Sequence, residues 1–374
     1  METLNLKHPR FTTRNQPKSL IDFDRLYSES QRSIHPLRLD RNEMPFDIPR
    51  DLKEQLMAKL IDIPLNRYPD FYNSELTQLI AKSIGVEAEN IVLGNGSSQL
   101  IQQLVGCLAK VFSKAIIEKP TFSFYHHVLA NERMPYQEWE LTEDGVFELA
   151  QFPPVNEPTL VMLSSPNNPT GALLPHETLR QLLETYPNSV FIIDEAYAEF
   201  GGPSAVALIN EYANLMVLKT FSKAYGLPGL RLGYVVGGAS LIQLVKKHTV
   251  PFTINIYTEA AVKELLTNPA FEQAVRISRE RVKNLREFVC YLLDDLSTPN
   301  SFAVYPTGTN FLLMRFDDAS LYEAVRDMFA KRKILVSYPM DKTIRLTIGT
   351  EPEMLEVVRL MKHAVNQQKA FYNE

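Results

Sequence analysis

The sequence predicts an α/β chain: a large domain with a mainly parallel sheet between helices, joined to a smaller α+β domain. Three observations carry this. From about residue 48 to 270, short apolar runs alternate with helical stretches, the pattern of strands buried on both faces of a parallel sheet. Beyond residue 270 strand-like runs mix with helices in a different order, which suits a small α+β unit. The 374 residues also exceed the size at which one hydrophobic core usually stops growing.

Taken in order, residues 1–37 are polar, lack clear periodicity and read as an N-terminal arm. Residues 48–270 form the expected large domain, and 38–47 with 271–374 the small one. In the large domain DLKEQLMAKLI and SSQLIQQLVGCLAKVF have helical periodicity, whereas AIIEKP, TLVMLSS, VFIIDEAY, LMVLKT and LGYVVGG are expected strands. SRERVKNLREFVCYLLDDL, 278–296, sets apolar residues at helical spacing with charges between them and leads into the small domain. There NFLLMRF, ILVSYP and TIRLTIGT read as strands, and LYEAVRDMFAKR and PEMLEVVRLMKHAV as helices. No repeat or low-complexity linker intervenes, so the domains are expected to pack closely.

Composition narrows the function. With 45% hydrophobic residues, 22% charged and a net charge of −5, the chain has the balance of an ordinary globular protein rather than a nucleic-acid binder. No apolar run approaches the roughly 20 residues that span a bilayer, and METLNLKHPRFTTRNQ lacks the apolar core of a secretion signal. Cys107 and Cys290 lie far apart and make no metal-ligand spacing. They read as free thiols of a reducing compartment, so a cytoplasmic protein without a metal is expected.

The chemistry gathers at predicted strand ends. In LGNGSSQLIQQLV, 93–105, two glycines bend the chain and Ser97 suits an N-cap before an amphipathic helix; such a helix start either is plainly capped or holds a phosphate. SSPNNPTG, 164–171, follows an apolar strand, where α/β sheets bind ligands, and Asn168 can turn its amide inward. FIIDEAYAEF, 191–200, ends an apolar run on Asp194, a carboxylate that either caps a helix or is held for a cation. TFSKAYGLPGLRLGY, 220–234, spaces Lys223 and Arg231 to suit neither one helical face nor a pleated strand. A ligand explains that spacing. Lys223 supplies an amine for a Schiff base, and Thr220, Ser222 and Arg231 ligate a phosphate. Asp194 keeps a pyridine nitrogen protonated, and Tyr197 and Asn168 hydrogen-bond the ring's 3′ oxygen. Those are the needs of pyridoxal 5′-phosphate.

GNGSSQLI, PTFSFY, SSPNNPTG, IIDEAYAEF, TFSKAYGLPGLRLGY and TIRLTIGT, in that order, resemble fold-type I aminotransferases, and within them the histidinol-phosphate aminotransferase group. The resemblance runs from RLDRNEMPFDIP at residue 38 to the C-terminus. It implies that Lys223 is the Schiff-base lysine and proton shuttle, and that Ser97 and Ser98 join Thr220, Ser222 and Arg231 around the phosphate. By the same likeness Phe122 stacks on the ring, Tyr68 in NRYPD reaches a neighbouring subunit's phosphate in a homodimer, and Arg345 pairs with the substrate α-carboxylate.

The sequence departs from that group at the substrate. Its members usually carry a phosphate-binding arginine just after the strand that corresponds to ILV, 334–336; here Ser337, Tyr338 and Pro339 follow. The early N-E-N-P segment is altered to Asn42-Glu43-Met44-Pro45, and the acidic pair usual after GNGS is Ser98-Gln99. With Phe46, Tyr338 and Met340 nearby in sequence, a less charged side-chain pocket is expected. The implied function is transfer of an amino group from an L-amino acid or related amine to a 2-oxo acid, with a non-phosphorylated donor preferred. Histidinol phosphate as donor, or decarboxylation as in threonine-phosphate decarboxylases, are the alternatives.

Overall fold

The computed structural model describes residues 36–372. The arm expected over 1–37 lies outside the described residues as far as residue 35. After the two-residue strand β1 (Leu37–Arg38) come seven strands: β2 (Ile91–Gly94), β3 (Ala115–Lys119), β4 (Tyr136–Glu140), β5 (Leu160–Ser164), β6 (Val190–Asp194), β7 (Leu215–Thr220) and β8 (Gly233–Gly237). These form one sheet in the order β2-β8-β7-β6-β5-β3-β4. Neighbours are parallel except at β8, which runs against both β2 and β7.

Alternation along each strand explains the apolar runs. Val161, Leu163, Phe191, Ile193, Leu215 and Val217 enter the core on one face, while Leu160, Met162, Val190, Ile192, Met216 and Leu218 enter the core on the other. Helices cover both faces: α1 (Arg50–Leu60), α2 (Ser74–Ile84), α3 (Gly96–Leu108), α4 (Ser123–Asn131), α5 (His176–Thr185), α6 (Ala239–Lys246) and α7 (Ile256–Thr267). The helix expected over 97–112 thus stops at Leu108.

The rest of the chain comprises α8 (Pro269–Leu296), β9 (Phe302–Val304), β10 (Phe311–Phe316), α9 (Ala319–Lys331), β11 (Ile334–Leu335), β12 (Thr343–Thr347) and α10 (Glu351–Tyr372). Helix α8 begins well before residue 278, because Pro269 suits a first helical position and Asn268 caps the N–H of Ala270 at 3.0 Å. Strands β12, β10 and β9 form an antiparallel sheet, and β1 pairs in parallel with β11. ILVSYP is a strand only at Ile334–Leu335; beyond it Ser337 makes a single antiparallel bridge to Arg345. The core here, with Val282, Val289, Phe311 and Leu346, also takes in Tyr197, Phe200 and Ala224 from the end of the large sheet.

Register aligns that end. Ser164 lies opposite Asp194, Asp194 opposite Leu218, and Gly233 between Thr220 and Gly94. The segments after β2, β5, β6 and β7, and the turn before β8, therefore meet at one edge of the sheet, where such sheets bind ligands.

Candidate active site

A cavity of about 390 Å³ opens at this edge. All the site residues expected from the sequence line it except Thr220 and Tyr68.

One end is a cradle of hydroxyls, backbone N–H groups and an arginine. Ser97 and Ser98 stand in the first turn of α3, where N–H groups have no helical partner and the dipole favours an anion. Arg231, in the left-handed region at φ 53°, folds back so that Nη1 donates to Ser222 Oγ at 3.4 Å. Gly96 has φ 79°, and a Cβ there would lie 2.4 Å from Arg231 Nη2, so only glycine leaves the cradle open. Gly94–Gly96 also make the predicted bend. Ser97 is not the expected N-cap: the cap position is Asn95, which makes no side-chain cap bond. Thr220 is not among the residues that line the cavity. Its hydroxyl accepts the N–H of Ser222 at 3.1 Å and donates to the Leu232 carbonyl at 3.4 Å, so it shapes the turn below the cradle.

At the cavity wall Asp194 is buried, with Oδ2 accepting from the Tyr125 hydroxyl and Oδ1 from the Ala196 N–H, both at 3.0 Å. Burial pushes its carboxyl up to about 6, against these two bonds. Among the described residues it makes no salt bridge, so its charge is available to a cation brought into the cavity. Phe122 lines the same space, edge-on to Tyr125 at 6.0 Å.

Lys223 stands across from these groups. Its Nζ donates to the Arg41 carbonyl at 2.8 Å and lies 5.8 Å from the centre of the Tyr197 ring. Tyr197 is held edge-on to Phe311 at 5.2 Å, and its hydroxyl accepts from Asn42 Nδ2 at 2.9 Å. Asn42 itself is left-handed, at φ 54°, and pinned through its N–H to Thr347 Oγ1 at 2.9 Å and through its carbonyl to Asn310 at 3.0 Å.

Arg345 closes the other end. Nη1 donates to Asn168 Oδ1, and Nη2 to the Asp40 carbonyl at 2.9 Å and Ser337 Oγ at 3.0 Å. Its Nε is buried with no partner among the described residues, and burial holds the guanidinium below the usual arginine range. Ser337 therefore sits behind Arg345 and orients it. Tyr338, Met340 and Phe46 do not line the cavity, and Phe46 instead packs under Arg281 at 4.3 Å. The charged side chains Arg41 and Glu43 stand among the lining residues.

Tyr68 lies elsewhere, 80% exposed and stacked on Phe252 at 4.6 Å. Sequence reasoning missed the supports Tyr125, Asn42 and Asp40, whose roles depend on partners far away in the chain. Asn42 alone left a signal, as an asparagine in a segment altered from the family pattern.

The donor set fits pyridoxal 5′-phosphate: a glycine-opened anion cradle, a lysine, and a buried carboxylate that makes no salt bridge among the described residues. The family profile Aminotransferase class I and II matches residues 34–360. A histidinol-phosphate aminotransferase of Pyrococcus furiosus is 33% identical over 337 residues, covering 88% of this chain and 92% of that one. Among solved structures, histidinol-phosphate aminotransferase from Sinorhizobium meliloti in complex with pyridoxal-5′-phosphate superposes with a TM-score of 0.77 at 22% identity, over 96% of this chain and 99% of that one. L-threonine-O-3-phosphate decarboxylase from Porphyromonas gingivalis superposes with a TM-score of 0.73 at 23% identity, over 90% of this chain and 100% of that one. With this match along most of its length, the chain belongs to the class I and II aminotransferases, pyridoxal-phosphate-dependent transaminases of fold type I.

Proposed function

We propose that this transaminase takes the amino group of an α-amino acid without a phosphate group and passes it to a 2-oxo acid, with Lys223, Asp194 and Arg345 as the residues that carry the reaction. The observation behind this is that all three open into one cavity. Bound pyridoxal phosphate supplies an electron-withdrawing ring that stabilises negative charge at the carbon losing its proton. Ser97, Ser98, Ser222 and Arg231 would hold the phosphate, and Phe122 would pack against the ring. Asp194, ionised, would keep the ring nitrogen protonated, and Tyr197 and Asn168, which line the same cavity, would hydrogen-bond the ring's oxygen. Lys223 Nζ, at the cavity, would take the proton from the substrate Cα. Arg345 receives the α-carboxylate, and three acceptors on its two η nitrogens fix its plane beforehand.

Ser337 supports the non-phosphorylated donor, since a serine turned onto Arg345 offers no cation for a phosphate. A second reading, histidinol phosphate as donor, is favoured by the name of the Pyrococcus relative and by Arg41, an exposed cation at the cavity. Decarboxylation is the third, and the Porphyromonas neighbour favours it. We further propose a cytoplasmic homodimer. Ile61, Leu65, Tyr68, Tyr72 and Val250 are all more than 60% exposed, an apolar surface that suits burial against a second copy and from which Tyr68 would reach the partner's phosphate. No described helix is long and apolar enough to cross a membrane.

The test is to mix holoprotein with phenylalanine, leucine, histidinol phosphate or threonine phosphate singly, following the cofactor's visible absorbance and the products. The reading expects phenylalanine or leucine to react fastest, giving an oxo acid. Faster reaction of histidinol phosphate overturns the donor preference, and release of CO₂ overturns transamination.

A further inference from the structure

We propose that Glu118 is a positioning residue that clamps two walls of the cofactor cavity together, setting the distance between Phe122 on one wall and Asn168 on the other. This rests on the pyridoxal-phosphate reading of the cavity. Glu118 is the penultimate residue of β3 and is fully buried, at a strand position where an apolar side chain would satisfy the fold.

Its Oε1 alone collects four donors. Thr121 Oγ1 donates at 2.7 Å, Asn167 Nδ2 at 3.1 Å, and Ser164 through both its N–H, at 3.2 Å, and its hydroxyl. Each donor neighbours a cavity residue. Thr121 precedes Phe122, Asn167 precedes Asn168, and Ser164 itself lines the cavity and accepts the Asn168 N–H at 3.4 Å. Asn167 Nδ2 also reaches the Pro120 carbonyl at 3.1 Å, so the two segments are tied on both sides of the carboxyl. One oxygen thus joins the stretch after β3 to the stretch after β5.

The other oxygen, Oε2, is buried with no partner among the described residues. A carboxyl placed only to satisfy backbone would use both oxygens. Burial pushes Glu118 up to about 7, and Tyr125, which holds Asp194, feels both carboxyls. A polar node of this kind fixes rotamers of the groups that touch ligand.

The experiment titrates apoprotein with pyridoxal phosphate, reading Kd and the circular dichroism of the bound cofactor, with the melting temperature of each apoprotein as control. Glu118→Gln keeps an acceptor at Oε1 and should bind within about threefold of the parent. Glu118→Leu removes the acceptor and should weaken binding at least tenfold and change the dichroism. Thr121→Val frees only the Phe122 side and should weaken binding about threefold or more with unchanged apoprotein melting. If Glu118→Leu does not fold, Thr121→Val decides alone. Parental Kd and dichroism in Thr121→Val, or equal behaviour of Glu118→Leu and the parent, overturns the clamp. Failure of the parent itself to bind pyridoxal phosphate would instead sink the functional reading.

Discussion

Replacing Asp194 by asparagine should remove a tenfold pH effect on cofactor binding. Enclosed beside Tyr125, Asp194 has its carboxyl pushed by burial from 3.8 to about 6. A folded value above the unfolded one means that the neutral acid is favoured in the folded protein. The stability this group contributes is fully present below about 3.8 and is lost as pH rises through about 6. A displacement of that size corresponds to about 3 kcal/mol. Binding a protonated ring nitrogen needs the ionised form. At pH 5, one unit below the folded value, roughly nine-tenths of the groups are neutral, so affinity should be about tenfold weaker than at pH 8 on this account alone. Asparagine still offers a carbonyl to Tyr125 but does not titrate. Titrating parent and Asp194→Asn apoproteins with pyridoxal phosphate at pH 5 and pH 8 gives a variant-to-parent Kd ratio in which the titration of the cofactor and of other residues cancels. That ratio should be about tenfold larger at pH 8, and turnover of the variant should fall sharply. A ratio equal at both pH values within twofold refutes the reasoning.

Arg345→Ala should raise KM for carboxylate substrates by roughly 10- to 150-fold, since it removes charged hydrogen bonds worth about 1.5–3 kcal/mol; steady-state kinetics with an amino acid and with the matching amine lacking a carboxylate separates this from general damage. Ser337→Ala leaves Arg345 without one of its three acceptors. It should raise the same KM about 2- to 10-fold and leave the carboxylate-free amine unaffected, by the net worth of one hydrogen bond. Tyr68→Ala should weaken cofactor binding in a protein that light scattering still finds dimeric, and mixing it with Lys223→Ala protein should restore one intact site per hybrid dimer.

Much of this was legible in the sequence because the large sheet is buried on both faces. Strands β5 and β6 are apolar up to their last residues, Ser164 and Asp194, and β7 is apolar up to Lys219 and Thr220, so the polar residues that end these runs announce the ligand edge. Strand β4 escaped notice: YQEWE fully buries only Trp139, as befits a strand at the sheet edge. The cradle was readable as glycine, serine and arginine, but not the direction of Thr220, which depends on the return of Leu232 beneath it. Ser337 illustrates the limit most clearly. Standing where the group usually carries an arginine, it suggested a less charged pocket but not its partner: the bridge to Arg345 turns its hydroxyl onto the guanidinium. Glu118 gave no sign at all, since a glutamate in AIIEKP looks like any strand-end charge until Thr121, Ser164 and Asn167 converge on it.

The central claim is that Lys223 is the amine to which the cofactor is joined. Borohydride reduction of the holoprotein, proteolysis and mass spectrometry locate the attachment directly. The account predicts the phosphopyridoxyl group on Lys223, and none in Lys223→Ala protein that still binds the cofactor through its cradle. Its recovery on any other lysine, or at parental yield in the variant, contradicts the site as built.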